Sequence, residues 1–357
     1  MNCSIVPPYL LQRLASLDDP ALAPVAAAAR ASLQRDVPFR GIRVGEAAPP
    51  TTSDRRSTLT TRALRDPDRT IADAGNTEAL PGTIVRREGD SAASDPAVNE
   101  AYDGLGETHS FFRHVFARAS IDDNNLPLAA TVHFGDDYDN AFWDGERMVF
   151  GDGDGIVFRR MTASLSVIGH ELAHGVTQHS ANLLYQDQAG ALNESVSDVF
   201  GALVEQRSLG HSTDEASWLI GLGLFTDEVE GEALRSLKAP GEAYNDDVLG
   251  KDPQPAHMRD YVQTSDDNGG VHLNSGIPNH AFYLVAQELG GQAWERAGLI
   301  WYTALTNGSL TPTADFAAFA TATAAAAVAL YGDDSVEHSA VRAGWTGVGV
   351  PVDRPTE

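Results

Sequence analysis

The chain has 357 residues, enough for two domains of ordinary size, and 42% of them are hydrophobic, as in a water-soluble globular protein. Its 50 acidic and 25 basic residues give a formal charge of −25, which argues against nucleic acid or an anionic membrane as partner. No stretch approaches the roughly 20 consecutive apolar residues of a membrane span, and the single cysteine, Cys3, excludes an internal disulfide or a cysteine-based zinc module.

The N-terminus, MNCSIVPPYLLQRLASLDDP, has no basic start, and Pro7 and Pro8 interrupt its apolar run before it reaches the length of a signal-peptide core. A Sec leader is therefore not expected, and the location expected is cytoplasmic, or extracellular by a non-classical route. Leu10, Leu14 and Leu17 fall at helical spacing, and an Ala-rich helix is expected over 21–35. From 44 to 70 the text is rich in Pro, Thr, Asp and Arg with no apolar period, which predicts an exposed linker. Residues 71–160 alternate short apolar runs with Gly and Asp turns and predict a strand-rich region with one helix near 96–119. Beyond 160 the period lengthens: Leu192, Val196, Val199, Phe200 and Leu203 share a helical face, and 278–300 and 312–331 are also expected to be helical.

The stretch HELAHGVTQH, starting at residue 170, carries the chemistry. Four residues apart on a helix, His170 and His174 project from one face and can hold one ion, with Glu171 beside them. A catalytic zinc takes three protein ligands and leaves a position for water. A third histidine is not at the spacing this requires, since Ser180 stands there and His179 misses by one residue. The alternative is a carboxylate from the next helix, where GALNESVSDVF offers Glu194, with Asp198 four residues on and able to orient a ligand histidine through its second nitrogen.

HELAHGVTQHSANLLYQDQAGALNESVSD resembles the zinc signature of the thermolysin family of neutral metallopeptidases. DNGGVHLNSGIPNHAFYL and NAFWDGERMVFGDGDG are similar to that family's second active-site segment and its substrate-binding edge strand, and the likeness runs over roughly residues 70–345. The resemblance implies an α+β fold of two domains, β-rich then α-helical, with the active-site cleft between them. The divisions expected are 1–60 for a propeptide and linker, 61–185 for the first domain and 186–350 for the second.

By the same resemblance His170, His174 and Glu194 are the ligands of one zinc ion, and Asp198 and Asn193 orient the two histidines. Glu171 is the general base for the attacking water, Tyr185 and His272 are donors to the oxyanion, and Asp267 holds His272 in its donating form. Asn140 and Ala141 pair with peptide backbone, Arg235 binds the carbonyl just after the cleaved bond, and Phe158, Val167, Ile220 and Leu234 wall an apolar pocket. This implies cleavage on the amino side of Leu, Phe, Ile or Val in peptide or protein substrates; the chain is expected to be a monomer.

Two departures from the family matter. Where its secreted members cluster carboxylates around paired calcium ions, this chain keeps Glu205 but has Ser166, Ser217, Leu219 and Leu222, so that site is expected to be absent. GDGDG at 151–155 is expected to be a turn, because the twelfth position of a calcium loop counted from Asp152 is Ala163. The N-terminal segment is also short, and its IVPPYLLQRLA resembles the protealysin-like subgroup, in which such a segment is an autoinhibitory propeptide removed at the linker by the enzyme itself. Cys3 could in principle cap the zinc as a thiolate. His133, His179, His211, His257 and His280 receive no role. A non-catalytic zinc-binding protein on the same fold is the alternative, but such a protein is free to lose Glu171, Tyr185 or His272, and all three are present.

Overall fold

The computed structural model describes residues 3–40 and 64–352, with the side chains of 4–36 and 64–352. Most of the expected 44–70 linker and the side chain of Cys3 lie outside these described residues. The linker's last residues differ from expectation: strand has already begun at Arg69.

The N-terminal segment comprises a two-residue strand β1 (Cys3–Ser4), helix α1 (Pro8–Ala15) and helix α2 (Ala23–Arg40). Pro8 opens α1 at the position where a missing N–H costs nothing, and Leu10, Leu11 and Leu14 form its buried face. Next come β2 (Arg69–Asp73), β3 (Thr83–Arg87), the long helix α3 (Pro96–Phe116), β4 (Leu128–Val132), β5 (Ala141–Trp143) and β6 (Met148–Phe150). Asp95 caps α3 by accepting from the N–H of Ala97, with Pro96 at the first helical position. The six strands form one sheet in the order β1-β5-β6-β4-β2-β3. β2 runs parallel to β4 and β4 to β6, while β5 is antiparallel to β6, and β1 antiparallel to β5. The N-terminal segment thus supplies the sheet's outermost strand on the β5 side.

The GDGDG run is a turn, as expected: the Asp154 carboxylate accepts from the backbone N–H groups of Ile156, Val157 and Phe158. His133, for which the sequence offered no role, ties this turn to α3, its two ring nitrogens 2.8 Å from Asp152 and 2.7 Å from Asp95. Burial works against the imidazolium, but the hydrogen bonds to Asp152 and Asp95 outweigh it and raise the His133 pKa. A raised pKa in the folded state stabilises fully below the unfolded pKa of about 6.5 and is lost as pH rises through the folded value. His133→Ala is therefore expected to lower the urea midpoint more at pH 5.5 than at pH 9. An equal loss at both would remove the ion-pair account.

The second half is mainly helical. Helices α4 (Leu165–Gln178) and α5 (Asp187–Leu209) are followed by the short strand pairs β7 (Leu219–Ile220) with β8 (Arg235–Ser236) and β9 (Asn245–Asp246) with β10 (Gly250–Lys251). Then come α6 (Asp267–Asn274), α7 (Gly276–Leu289), α8 (Ala297–Thr306), α9 (Phe316–Tyr331) and α10 (Val336–Gly347). The helix expected over 278–300 is two helices, broken where Gly290 and Gly291 adopt positive φ. None of the described helices is long and apolar enough to cross a membrane.

Candidate active site

Helices α4 and α5 lie side by side because small residues face each other where they meet. A Cβ on Gly169 would sit 3.0 Å from the Cα of Gly201, and one on Gly201 only 2.4 Å from the carbonyl oxygen of Ser166 and 3.0 Å from the nitrogen of His170. This contact sets how closely the two ligand-bearing helices approach. Gly201→Ala is expected to force them apart at a cost of about 1–3 kcal/mol and to weaken zinc binding. Unchanged thermal unfolding and zinc affinity would show that the spacing is set elsewhere.

On these helices His170, His174 and Glu194 converge, all fully buried, with one potential ligand atom from each within 4.8 Å of the others. Among the described residues this is the one group of three or more His, Cys, Asp or Glu side chains so arranged. The His170 Nδ1 is 2.8 Å from Asp198 Oδ1, and the His174 Nδ1 is 2.8 Å from Asn193 Oδ1. Each Nδ1–H is thereby given to an acceptor, which leaves a lone pair on each Nε2. Those two Nε2 atoms face each other 2.9 Å apart, each 3.5 Å from an oxygen of Glu194. Two lone pairs and a carboxylate in a dry cavity repel one another unless a cation lies between them. Two imidazoles and a carboxylate suit zinc. Burial, and then the neighbouring His170, hold the His174 pKa well down, which favours the neutral, ligating form.

Glu171, on the same turn of α4, is fully buried, and neither of its oxygens has a hydrogen-bond partner. Burial and the nearby Glu194 push its pKa well up. Tyr185 donates to Glu194, and its hydroxyl is 3.2 Å from His272 Nε2. His272 is aimed by a sharp left-handed turn: Asn268, Gly269 and Gly270 all have positive φ, and a Cβ on Gly269 would strike Asp187 Oδ1 at 2.2 Å. The turn lets Asp267 accept from both the backbone N–H of His272, at 2.9 Å, and its Nδ1, at 2.8 Å. Burial opposes the imidazolium, but Asp267 and then Glu194 overcome it, and the His272 pKa is pushed up to about 9. His272 is therefore a charged Nε2–H donor at neutral pH.

Arg235, fully buried on β8, donates through Nε and Nη2 to both oxygens of Asp198, at 2.9 and 2.8 Å. Burial raises the Asp198 pKa, but Arg235 and His170 hold it far below the usual carboxylate range. Phe158, Val167, Ile220 and Leu234 are all fully buried in one apolar cluster that also contains Ile5 and Val6.

Ile5 and Val6 follow β1 along β5. The N–H of Ile5 donates to the carbonyl of Ala141 at 3.0 Å, and the N–H of Val6 donates to Asn140 Oδ1 at 2.8 Å. The Asn140 Nδ2 returns to the carbonyl of Val6 at 3.3 Å. Behind them, Asp36 of α2 accepts from Tyr138 and Asn140, and Ser32 accepts from the N–H of Asp139.

Three contributors were missed in the sequence. Ser197 Oγ lies 3.0 Å from His174 Nδ1, and Asn279 donates to Asp198 Oδ2 at 2.8 Å. Ser197 is four residues after Asn193 on the same face of α5, a signal available in the spacing. Asn279 stands alone on α7 with nothing in the pattern to mark it. The third is the docking of Ile5 and Val6.

Fold and site together define a zinc-type metallopeptidase in which an N-terminal strand occupies the cleft. Residues 51–178 match the family described as thermolysin metallopeptidase, catalytic domain, and residues 181–350 match its alpha-helical domain. The chain belongs to the thermolysin family of metallopeptidases. It is 53% identical over 285 residues to an extracellular metalloprotease of Pectobacterium carotovorum subsp. carotovorum, covering 80% of this chain and 82% of that one. It is 42% identical to an extracellular minor metalloprotease of Serratia marcescens, over 82% of this chain and 79% of the relative. The solved precursor of protealysin from Serratia proteamaculans superposes with a TM-score of 0.87 at 48% identity, covering 98% of this chain and 99% of that chain. A match to a precursor over nearly the whole length supports a zymogen with the N-terminal segment as its propeptide.

The expected cytoplasmic location or non-classical route is corrected by these relatives, whose names point to secretion. The physical reason is that the short apolar run before Pro7 and Pro8 is the strand that fills the cleft, so its length says nothing about export.

Proposed function

We propose that the chain is a zinc endopeptidase, latent until its N-terminal segment leaves, in which His170, His174 and Glu194 hold the metal. The observation that carries this is the pair of facing Nε2 lone pairs closed by the Glu194 carboxylate, beside an unpaired Glu171. Zinc, when bound there, supplies Lewis acidity toward the scissile carbonyl and the attacking water. Glu171 takes the proton from that water and delivers it to the departing amine. His272 and Tyr185 donate to the oxygen on which charge develops, and Asp267 keeps His272 charged and aimed. Asp198 and Asn193 fix the tautomers of the two histidines.

Peptide backbone adds to β5 as a further strand, held by Asn140, Ala141 and Arg235. The side chain after the cleaved bond enters the pocket of Phe158, Val167, Ile220 and Leu234, which selects Leu, Phe, Ile or Val. Glu205 sits among Ser166 and Ser217 with its pKa raised by burial, which supports a chain without the paired calcium ions. We take the enzyme as a monomer, divided at residue 185/186 and preceded by a propeptide and linker through residue 60, with peptides rather than nucleic acid or membrane as its partners.

The test is hydrolysis of peptides that differ only in the residue after the scissile bond, with and without a zinc chelator, by prosegment-free enzyme made from the folded full chain. Leu, Phe, Ile or Val is expected to exceed Ala by on the order of 10–200-fold, and the chelator to abolish cleavage. Chelator-insensitive cleavage, or a preference for charged residues, refutes the reading.

A further inference from the structure

We propose that the Ser4–Ile5 peptide bond is itself a substrate of this site, cut by the same molecule that carries it. The inference rests on the residue roles proposed above and specifies what the site does to its own prosegment.

Two assignments made independently of the N-terminal segment converge on one bond. Arg235 is the group assigned to the carbonyl just after the cleaved bond, and its Nη1 donates to the carbonyl of Ile5 at 2.8 Å. His272 is the donor assigned to the scissile carbonyl, and its Nε2 is 2.9 Å from the carbonyl oxygen of Ser4. Both place the cleaved bond between Ser4 and Ile5, and neither fits a register shifted by one residue, which would turn each carbonyl to the opposite side of the strand. Ile5 is also one of the four residue types expected after the cleaved bond, and it is fully buried. β1 and the residues after it run antiparallel to β5, with the N–H of Ile5 on Ala141 and both backbone groups of Val6 on Asn140.

The step is a plain hydrolysis. A water oxygen bonds to the carbonyl carbon of Ser4, the bond to the Ile5 nitrogen breaks, and protons from the water pass to that nitrogen. The products are a peptide ending in a Ser4 carboxylate and a chain that begins with an Ile5 ammonium. No oxidant or second substrate is needed.

The contacts explain why such a cut does not free the cleft. The hydrogen bonds of Ile5 and Val6 to Ala141, Asn140 and Arg235 lie on the product side that stays attached to α1 and α2. Those helices are anchored on both sides: Arg13 donates to the carbonyls of Asp247 and Val248, and Arg35 reaches Glu78 and the carbonyl of Asp136. Only the segment through Ser4 is released, and the new end remains docked as a tethered product.

The experiment follows the intact mass of zinc-loaded full-length chain over time at several protein concentrations. Loss of the residues through Ser4 is expected, with Ile5 as the new N-terminus and a half-life that does not change on tenfold dilution. Zinc-free chain and Glu171→Gln are expected to keep the segment. Ile5→Gly, which removes the side chain but keeps the backbone, is expected to slow the cut at least tenfold. Retention of residues 1–4, cleavage at a neighbouring bond, a rate that falls on dilution, or an unchanged rate in Ile5→Gly each overturns the proposal. A prosegment-free preparation from the same batch is assayed on a peptide with isoleucine after the scissile bond. If that peptide is cut while the full chain stays whole, the self-cut alone is refuted; if it is not cut, the peptidase reading fails and the self-cut falls with it.

Discussion

Glu171→Gln is expected to lower peptide hydrolysis by about 10²–10⁴-fold, the usual contribution of a positioned proton shuttle, while leaving the zinc content unchanged. The side chain is next to a ligand in sequence, yet both its oxygens are buried and no other side chain bonds to them. Burying a carboxyl group is costly, and the one hydrogen-bonding influence on it comes from the backbone of Trp143. Replacing it should therefore not destabilise the fold, and the variant's unfolding midpoint should be at or above that of the wild type. Burial and Glu194 raise the pKa of this group, which brings a carboxylate closer to the range where it can both accept and return a proton near neutral pH. A Glu171→Gln enzyme with unimpaired turnover would end the mechanism. Loss of zinc along with activity would move Glu171 from proton transfer to metal binding.

Asp198→Ala is expected to damage both stability and metal binding. Its carboxylate accepts from His170, twice from Arg235 and from Asn279, all within 2.9 Å in a fully buried setting. Removing it leaves the Arg235 guanidinium buried without its counter-charge, a change worth about 3–5 kcal/mol. It also frees the His170 ring to rotate and to exchange tautomers, which should weaken zinc binding about 10–100-fold. Urea unfolding in the presence of chelator isolates the first effect, and competition with a zinc indicator measures the second. A double variant, Asp198→Ala with Arg235→Met, should recover part of the stability but none of the zinc affinity. If stability and affinity return together, the two roles are not separable as described.

Much of this site could be read from the text because its chemistry lies on helices, where spacing translates directly into direction. His170 and His174 in one stretch, and Glu194 and Asp198 in another, each four residues apart, declare a shared face before any tertiary contact is known. The β elements were less legible. β7 to β10 are two residues each, too short for an alternating pattern, and what makes them strands is pairing with distant partners, such as Ile220 with Arg235. The N-terminal segment shows the same limit in a sharper form. Its leucine spacing and Ala-rich stretch announced two helices, but nothing in SIV announces a strand whose register depends on Ala141, Asn140, Arg235 and His272, more than 130 residues away. Asn279 was invisible for a related reason, since a single amide on a helix acquires meaning only from the carboxylate it meets.

The sheet has six strands only while β1 is in place. Once the prosegment leaves, β5 becomes a bare edge with unpaired N–H and C=O groups, flanked by apolar residues and open to any extended chain. Such an edge is the feature through which sheet proteins associate with one another. During synthesis, when many copies are concentrated and incompletely folded chains are nearby, the occupied edge keeps each molecule from joining its neighbours. The prosegment therefore covers an association-prone edge, and the form without it is expected to be the more aggregation-prone of the two when substrate is scarce.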